Sequence, residues 1–349
     1  MRGSLTRIAV LALCLGAVAP ARQAAAQVNF AIPESPAFTF LGLNPSVVSH
    51  PGTARDFMVS VTNGVDANGR VQQGLAFEIS PWLYIPGASI NLEAYRESFW
   101  KRLLANAQLS LGTARAAGDT GSTDVAFGLR LTILDESDPM KDWDFTAALA
   151  TAMKGCAPKS PGESSLPCLD QVVSAESDKW FKQHWNDRRL SVGAAAGFRA
   201  VQSALQDRRW LGWSGWLSGG VGLGQWGQVL AQLQFDQRDS LQGAAETKSL
   251  TYGARVVAGS GGSNAFLELA GVHEFDAPAG SDAGSGRWSG GMEFRAGENL
   301  WISTGFGSRF STLKQAEHVM LLAGIRWGFS KQARMDALRT EAQGWKSGT

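Results

Sequence analysis

The sequence predicts an all-β fold, a transmembrane antiparallel up-and-down barrel of about 12 strands. Three observations carry that prediction. Apolar and polar residues alternate with period two through most of residues 55–329, so each segment has one apolar and one polar face. The segments run to roughly 11–16 residues, against about 5–6 for an ordinary strand and about 9–11 for a tilted membrane strand. After residue 26 no continuous apolar run approaches the length of a membrane-spanning helix.

The chain begins with a secretory signal pattern over residues 1–26. Arg2 and Arg7 precede the apolar stretch Ile8 to Ala19, and Ala24-Ala25-Ala26 offers small residues for cleavage before Gln27. Cys14 lies inside that stretch behind the bulky Leu13, so lipidation is not expected. Loss of residues 1–26 removes Arg2, Arg7 and Arg22 and no acid, which takes the formal charge from +1 to −2. A chain so balanced lacks the basic excess of a nucleic-acid binder. Residues 27–54 hold Pro33, Pro36, Pro45 and Pro51 without periodicity, and read as an extended leader or plug.

The barrel is expected over residues 55–329. Strand one, 55–63, aligns Phe57, Val59 and Val61, and strand two, 72–79, aligns Leu75, Phe77 and Ile79. Asn63-Gly64 and Asn68-Gly69 supply turn chemistry between them. Residues 80–98 contain Pro81 and Pro86, with a short helix expected over 91–98. Strand three is expected at 99–113, aligning Leu103, Ala105, Ala107, Leu109 and Leu111, and strand four at 122–134, aligning Val125, Phe127, Leu129, Leu131 and Ile133. Residues 135–187 break the rhythm as a charged insertion, too long for a structureless connection. Helices are expected there near 143–154 and 174–185.

Alternation resumes in strand five, 188–203, through Leu190, Val192 and Phe198. Strand six, 209–222, is the least regular: Leu211, Trp213 and Leu217 share one face, Trp210 and Trp216 the other. In strand seven, 225–237, Val229, Ala231, Leu233 and Phe235 oppose Gln228, Gln232, Gln234 and Asp236. Strands eight to twelve are expected at 247–259, 263–275, 285–296, 299–310 and 317–329. A polar tail, 330–349, follows, with a helical pattern from Ala333 to Ala342.

Two cysteines lie beyond the signal pattern, Cys156 and Cys168, and an exported chain crosses an oxidising compartment, so a disulfide is expected. Pro158, Pro161, Gly162 and Pro167 between them suit a loop. Zinc is the weaker reading, since no further cysteine and no enclosed histidine completes a ligand set.

An apolar face of this kind meets either a soluble core, as in a β-sandwich, or lipid, as in a membrane barrel. Strand length favours lipid, as do small residues on the polar face. Aromatic residues near segment ends, Trp82, Phe99, Trp226, Phe275, Trp301, Phe310, Trp327 and Phe329, suggest interfacial girdles. With both termini on one side, tight glycine turns at 223–224, 260–262 and 297–298 would face the periplasm, together with the longer 80–98 and 135–187. Loops 64–71, 114–121, 204–208, 238–246, 276–284 and 311–316 would face outward.

The last strand ends with Ile325, Trp327 and Phe329 at alternate positions. This barrel-closing signal resembles that of bacterial outer-membrane β-barrel proteins, although 20 residues follow Phe329 here. The resemblance covers about residues 55–329 and is general. It implies the outer membrane of a Gram-negative bacterium, insertion by the barrel assembly machinery, and contact with membrane lipid and lipopolysaccharide.

Chemistry is sparse. His50, His184, His273 and His318 are dispersed without metal-binding spacing, so neither a metal nor a cofactor is called for. A barrel lipase would need a serine near a histidine, and His273 with Ser289 or Ser308 is the nearest approach to that pattern. No motif fixes such a pair, and a non-enzyme is expected. The charged residues of the polar face are the better candidates: Arg130, Arg199, Arg255, Arg295, Arg309 and Arg326, with Glu78, Asp236, Glu268 and Glu293. They would either line a path for small solutes or ions, or pair and seal the interior. The expected function is therefore a channel or solute uptake pore. The alternatives are an anchor or scaffold for an envelope complex and a soluble exported β-sandwich binding protein.

Overall fold

The computed structural model describes residues 34–43, 47–51, 57–65, 71–84, 92–115, 121–156, 166–239, 246–276, 284–297, 300–308 and 319–328. The expected signal, Arg309, Phe310, Phe329 and the tail lie outside the described residues. Twelve strands form one closed barrel. They are β1 Phe57–Val65, β2 Val71–Ile79, β3 Gln108–Arg115, β4 Thr123–Asp135, β5 Arg189–Ala200 and β6 Arg208–Leu223, then β7 Gly227–Arg238, β8 Thr247–Gly259, β9 Ser263–Glu274, β10 Gly284–Gly297, β11 Leu300–Ser308 and β12 Val319–Gly328. Each pairs antiparallel with the next. Closure comes from β1 against β12, where Val59 lies opposite Trp327 and Val61 opposite Ile325. Every described ladder edge thereby finds a partner.

The polarity is inside-out. Leu75, Phe77, Leu111, Phe127, Leu233, Val256, Leu267, Met292, Phe306 and Leu321 are exposed on the outer face, while Ser60, Thr62, Ser110, Ser191, Ser214, Gln232 and Ser303 are buried on the inner one. A soluble sandwich would bury the first set, so that alternative fails. Strands with apolar side chains outward and all ladder bonds made within the ring are what a hydrocarbon layer demands.

Rings gather near one end of the wall, where Trp213, Phe235 and Phe275 follow each other at centroid distances of 5.4 and 6.3 Å. Trp226 and Trp327 are exposed near the other. Two expected girdle residues are not part of such belts. Trp301 pairs across the ladder with the inward Arg326 and is 1 % exposed, packed on Met58 inside the barrel. Trp82 packs against the helical core described below.

Strand six is corrected as well. Its register against β5 shifts where Phe198 faces Trp210 and Gly197 faces Gly212, leaving Leu211 as a bulge residue. The bulge resets the alternation. Trp210 and Trp213 are therefore both exposed outward, and Leu211 and Trp216 are both buried.

The expected third strand is half helix. Residues 99–105 form a helix and the strand begins only at Gln108. Ser98 explains the start, because its side chain accepts from the Lys101 amide at 3.3 Å and caps the first turn. Phe-Trp-Lys-Arg-Leu-Leu-Ala then continues with good helix formers.

Among the described residues five α-helices accompany the barrel: α1 Pro36–Leu41, α2 Leu92–Glu97, α3 Phe99–Ala105, α4 Trp143–Lys154 and α5 Leu166–His184. All of α2 to α5 belong to the β2–β3 and β4–β5 connections, at the end of the barrel where β6–β7 and β8–β9 turn tightly. Asp142 caps α4 by accepting from the Phe145 amide at 2.6 Å. Phe145, Leu149, Met153, Leu169, Val173, Phe181 and Trp185 form a common core there. Burying each such side chain contributes about 1.5–3 kcal/mol. Trp180 stacks on His184 at 3.7 Å.

A disulfide joins Cys156 and Cys168, tying the end of α4 to the start of α5. Converting both cysteines to serine is expected to destabilise this helical layer by about 3 kcal/mol, the closure entropy of so short a loop. Amide exchange would quicken in α4 and α5 and stay slow in the strands. Equal acceleration in both would contradict a local role for the bridge.

Candidate functional site

The site is the lumen, and its centre is a stretch of chain that precedes β1. Residues 34–43 and 47–51 lie against the inner wall, and α1 packs on β2, β3, β4 and β5. Pro36 opens α1, where its missing N–H costs nothing, and Gly42 closes it with φ 69°. The wall is hollowed to receive the stretch. A Cβ on Gly74 would lie 2.2 Å from Leu43, one on Gly128 2.5 Å from Pro36, and one on Gly253 2.8 Å from Val48. Glycine at these inner positions lets the two chains approach.

Polar groups then fix the stretch in place. The Ala37 amide donates to Ser110 Oγ at 3.0 Å, the Ser49 amide to Gln232 Oε1 at 2.7 Å, and the Val47 and Val48 amides to the two Glu268 oxygens at 2.8 and 3.0 Å. Arg130 donates to the Glu34 carbonyl at 3.1 Å. Arg238 donates to the Phe40 carbonyl while its guanidinium lies 3.9 Å above the Phe40 ring.

Glu34 stands at the heart of this network. Its Oε1 lies 3.4 Å from both Arg255 and Arg326, and its Oε2 accepts the His50 amide. The same two arginines reach Glu293 Oε1 at 2.9 and 3.0 Å with their other terminal nitrogens. Two guanidinium groups and two carboxylates thus alternate around one point. The side chains of Glu34, Glu293 and Arg255 are almost fully buried there. Removing one partner of such a buried set costs about 3–5 kcal/mol, because the others keep their desolvation penalty.

The charged residues singled out from the sequence fall as follows. Arg130, Arg255, Arg326, Glu78, Glu268 and Glu293 are buried on the inner wall around the inserted stretch. Glu78 is within electrostatic reach of Arg130. Arg199 is also inward, donating through Nε and one terminal nitrogen to the two Asp124 oxygens at 2.6 and 2.9 Å. Asp236 accepts from Gln234 at 2.9 and 3.0 Å and lies 3.6 Å from Arg238. Arg295 sits beside the β10–β11 register shift and donates to the Gly297 carbonyl at 2.9 Å. Arg309 is outside the described residues.

Glu34 escaped the sequence reading. Its signal was there: it is the only charged residue between Gln27 and Ala54. A lone charge in an otherwise uncharged leader calls for a partner, but nothing in alternation identifies one.

The helical layer closes on the lumen from the tight-turn end. Its apolar core continues inward through Val48, Leu230, Val257 and Phe266. Asn186 donates to the Gly224 and Gly227 carbonyls at 2.5 Å, and Trp185 to the Gln225 carbonyl at 3.2 Å, pinning the layer to the β6–β7 turn. Arg189 holds the root, donating to Ser137 and the Trp185 carbonyl and lying 3.4 Å from Asp135. Toward the other end a cavity of about 950 Å³ is bordered by Gln232, Gly253, Val272, Ser285 and Arg287 among others.

Catalytic pairs do not assemble at the positions considered. Ser289 donates to Glu268 inside the barrel, whereas His273 packs edge-on against the exposed Phe275 outside. Ser308 accepts from the Trp288 amide at 3.1 Å. Among the described residues no three metal-ligating side chains cluster.

No family model matches the chain, and no curated protein matches it. Solved structures do resemble it in outline. The KdgM porin is 7 % identical, with 78 % of this chain and 99 % of that one covered and a TM-score of 0.41. The NanC porin is 6 % identical, covering 78 % and 100 %, with a TM-score of 0.42. LpxR from Salmonella typhimurium is 10 % identical, covering 78 % and 99 %, with a TM-score of 0.35. Likenesses at these levels transfer neither a solute nor a reaction. Closure, an even strand number and inside-out polarity give the chain the fold of a transmembrane β-barrel.

Proposed function

We propose that the protein is a solute channel of the Gram-negative outer membrane that its own N-terminal stretch keeps closed. The observation carrying this reading is the nature of the closure. The inner wall is polar and glycine-rich, and a separate piece of chain occupies it through charges and backbone amides. Twelve strands enclose a wider interior than the about 8 strands whose own side chains can fill it, so a segment from outside the wall is needed to close this lumen. Residues 27–54 act as the plug, and Arg130, Arg255, Arg326, Glu78, Glu268 and Glu293 line the passage once it leaves. The tight-turn end with its helical layer faces the periplasm.

Planar bilayers test the proposal. The mature chain is expected to conduct rarely, and deletion of residues 27–54 to give steady single-channel currents. A deletion variant that still shows a heat-modifiable, folded band but carries no current would end the pore reading. It would favour instead a closed scaffold that presents the disulfide-tied helical layer to an envelope partner. Small-solute passage and insertion by the barrel assembly machinery belong to the same proposal. Non-enzymatic action does too, supported by the separation of His273 from Ser289 across the wall.

A further inference from the structure

We infer that Arg255 and Arg326 form a carboxylate-binding site in the lumen, which Glu34 of the same chain occupies in the closed state, and that carboxylate-bearing solutes compete for it. The inference rests on the plug reading for its setting and on local geometry for its chemistry.

The two arginines come from β8 and β12, two strands to either side of the β10 strand that carries Glu293, and converge on one oxygen. Each offers a terminal nitrogen to Glu34 Oε1 at 3.4 Å. A guanidinium presents a planar fork of donors that matches a carboxylate better than any other common side chain does. The site is also built without Glu34. Glu293 Oε1 holds the remaining terminal nitrogens at 2.9 and 3.0 Å, so both guanidinium groups stay aimed when the plug is away. Phe266 supports the Arg255 plane at 3.9 Å, and Glu268 adds electrostatic attraction from the neighbouring strand. Removing Glu34 takes one negative charge from a cluster of three arginines and four glutamates: Arg130, Arg255, Arg326, Glu34, Glu78, Glu268 and Glu293. What is left is balanced, with donors directed at the vacated point. A carboxylate restores the closed-state electrostatics, while a cation or a neutral solute does not.

Glu34 thus plays the part of a tethered ligand. A tether of this kind raises its local concentration far above that of a free competitor. Free carboxylates therefore act strongly only where Glu34 is weakened. A solute with one or more carboxylates that enters from the loop end meets the cavity above Gln232 and then this pair.

Chemical rescue of the full mature chain tests the site. Glu34→Ala removes the atoms of an acetate molecule. Amide exchange at Val47 to His50 should then quicken, and sodium acetate should slow it again by about tenfold or more, the worth of a charge-assisted pair. Sodium chloride at equal ionic strength should not. The double variant Glu34→Ala/Arg326→Gln should lose the acetate effect. If Glu34→Ala gives no heat-modifiable barrel, Glu34→Gln serves, with the opposite sign: acetate displaces the weaker neutral side chain and exchange accelerates. Acetate and chloride acting alike, or rescue that survives loss of Arg326, would overturn the site. Bilayer currents keep the two proposals apart. Rescue without conductance in any variant leaves the site standing and removes the pore, and conductance without acetate specificity does the reverse.

Discussion

Gly212→Val is expected to prevent the folded barrel from accumulating. Gly212 has φ +121°, a backbone conformation that valine does not adopt without strain. The added Cβ would lie 1.9 Å from the Gln237 carbonyl oxygen and 2.9 Å from Arg238 Cα, both of them backbone of the paired strand β7. Neither obstacle is a flexible side chain that can swing away. Relief requires β6 to leave β7 or the bulge to disappear. Removing the bulge restores strict alternation, which turns Trp210 inward and Leu211 outward and slips the β5–β6 register. Strain and lost pairing together exceed about 3 kcal/mol, a large part of any protein's stability. Cold and heated samples should run alike on a gel, without the compact band of a folded barrel. Gly212→Ala, which adds the same Cβ without branching, should yield a reduced folded fraction with a lower urea midpoint. Parental heat-modifiability and urea midpoint in Gly212→Val would show that the bulge is dispensable.

The same region shows what alternation reveals and what it hides. Period two placed the inner and outer faces of β7 correctly because each side chain there follows the pleat, from Gln228 to Asp236. It failed in β6, where one inserted residue changes phase and leaves a stretch in which neither face looks consistent. It failed again at residues 99–105. Leu103, Ala105 and Ala107 alternate, yet Ser98 caps a helix first and local hydrogen bonding takes precedence. The tight turns that join β6 to β7 and β8 to β9 were legible because glycine turns are local features. The lumen's contents were not. Glu34 meets Arg255 and Arg326 only after 221 and 292 residues of chain have closed into a ring, and pairings that distant leave no local pattern. Alternation identified the arginines and glutamates of the wall but left two outcomes, an open path or internal pairing. The structure holds both elements at once: the wall charges pair, and part of their pairing is with a segment that precedes the barrel.

That arrangement makes Glu34→Lys the second large effect. The substitution places a cation where Arg255 and Arg326 converge, within a site that both carboxylate oxygens of Glu34 now fill. Two attractions become two repulsions in a water-poor lumen, where effective dielectric is low and Coulomb terms are large. Glu293, with Glu268 on the neighbouring strand, is left to balance three cations at that point. Loss of the buried partner costs about 3–5 kcal/mol, so the closed state should weaken by a factor of about a hundred or more. The barrel itself should persist, because Glu34 belongs to no strand and the ladder from β1 to β12 does not use it. Bilayer recordings should show long open events where the parent shows brief ones, with the heat-modifiable band unchanged. Gly74→Leu reaches the same state by a route without charge. The nearest atoms to its new side chain belong to Leu43 and Phe38 of the plug, so overpacking is relieved by moving the plug. Both routes act inside the buried site, where added salt screens little, so neither variant's closed times should depend strongly on ionic strength. Folded Glu34→Lys and Gly74→Leu barrels that both stay closed would mean that the stretch from Glu34 to Pro51 is a fixed part of the lumen filling and no gate.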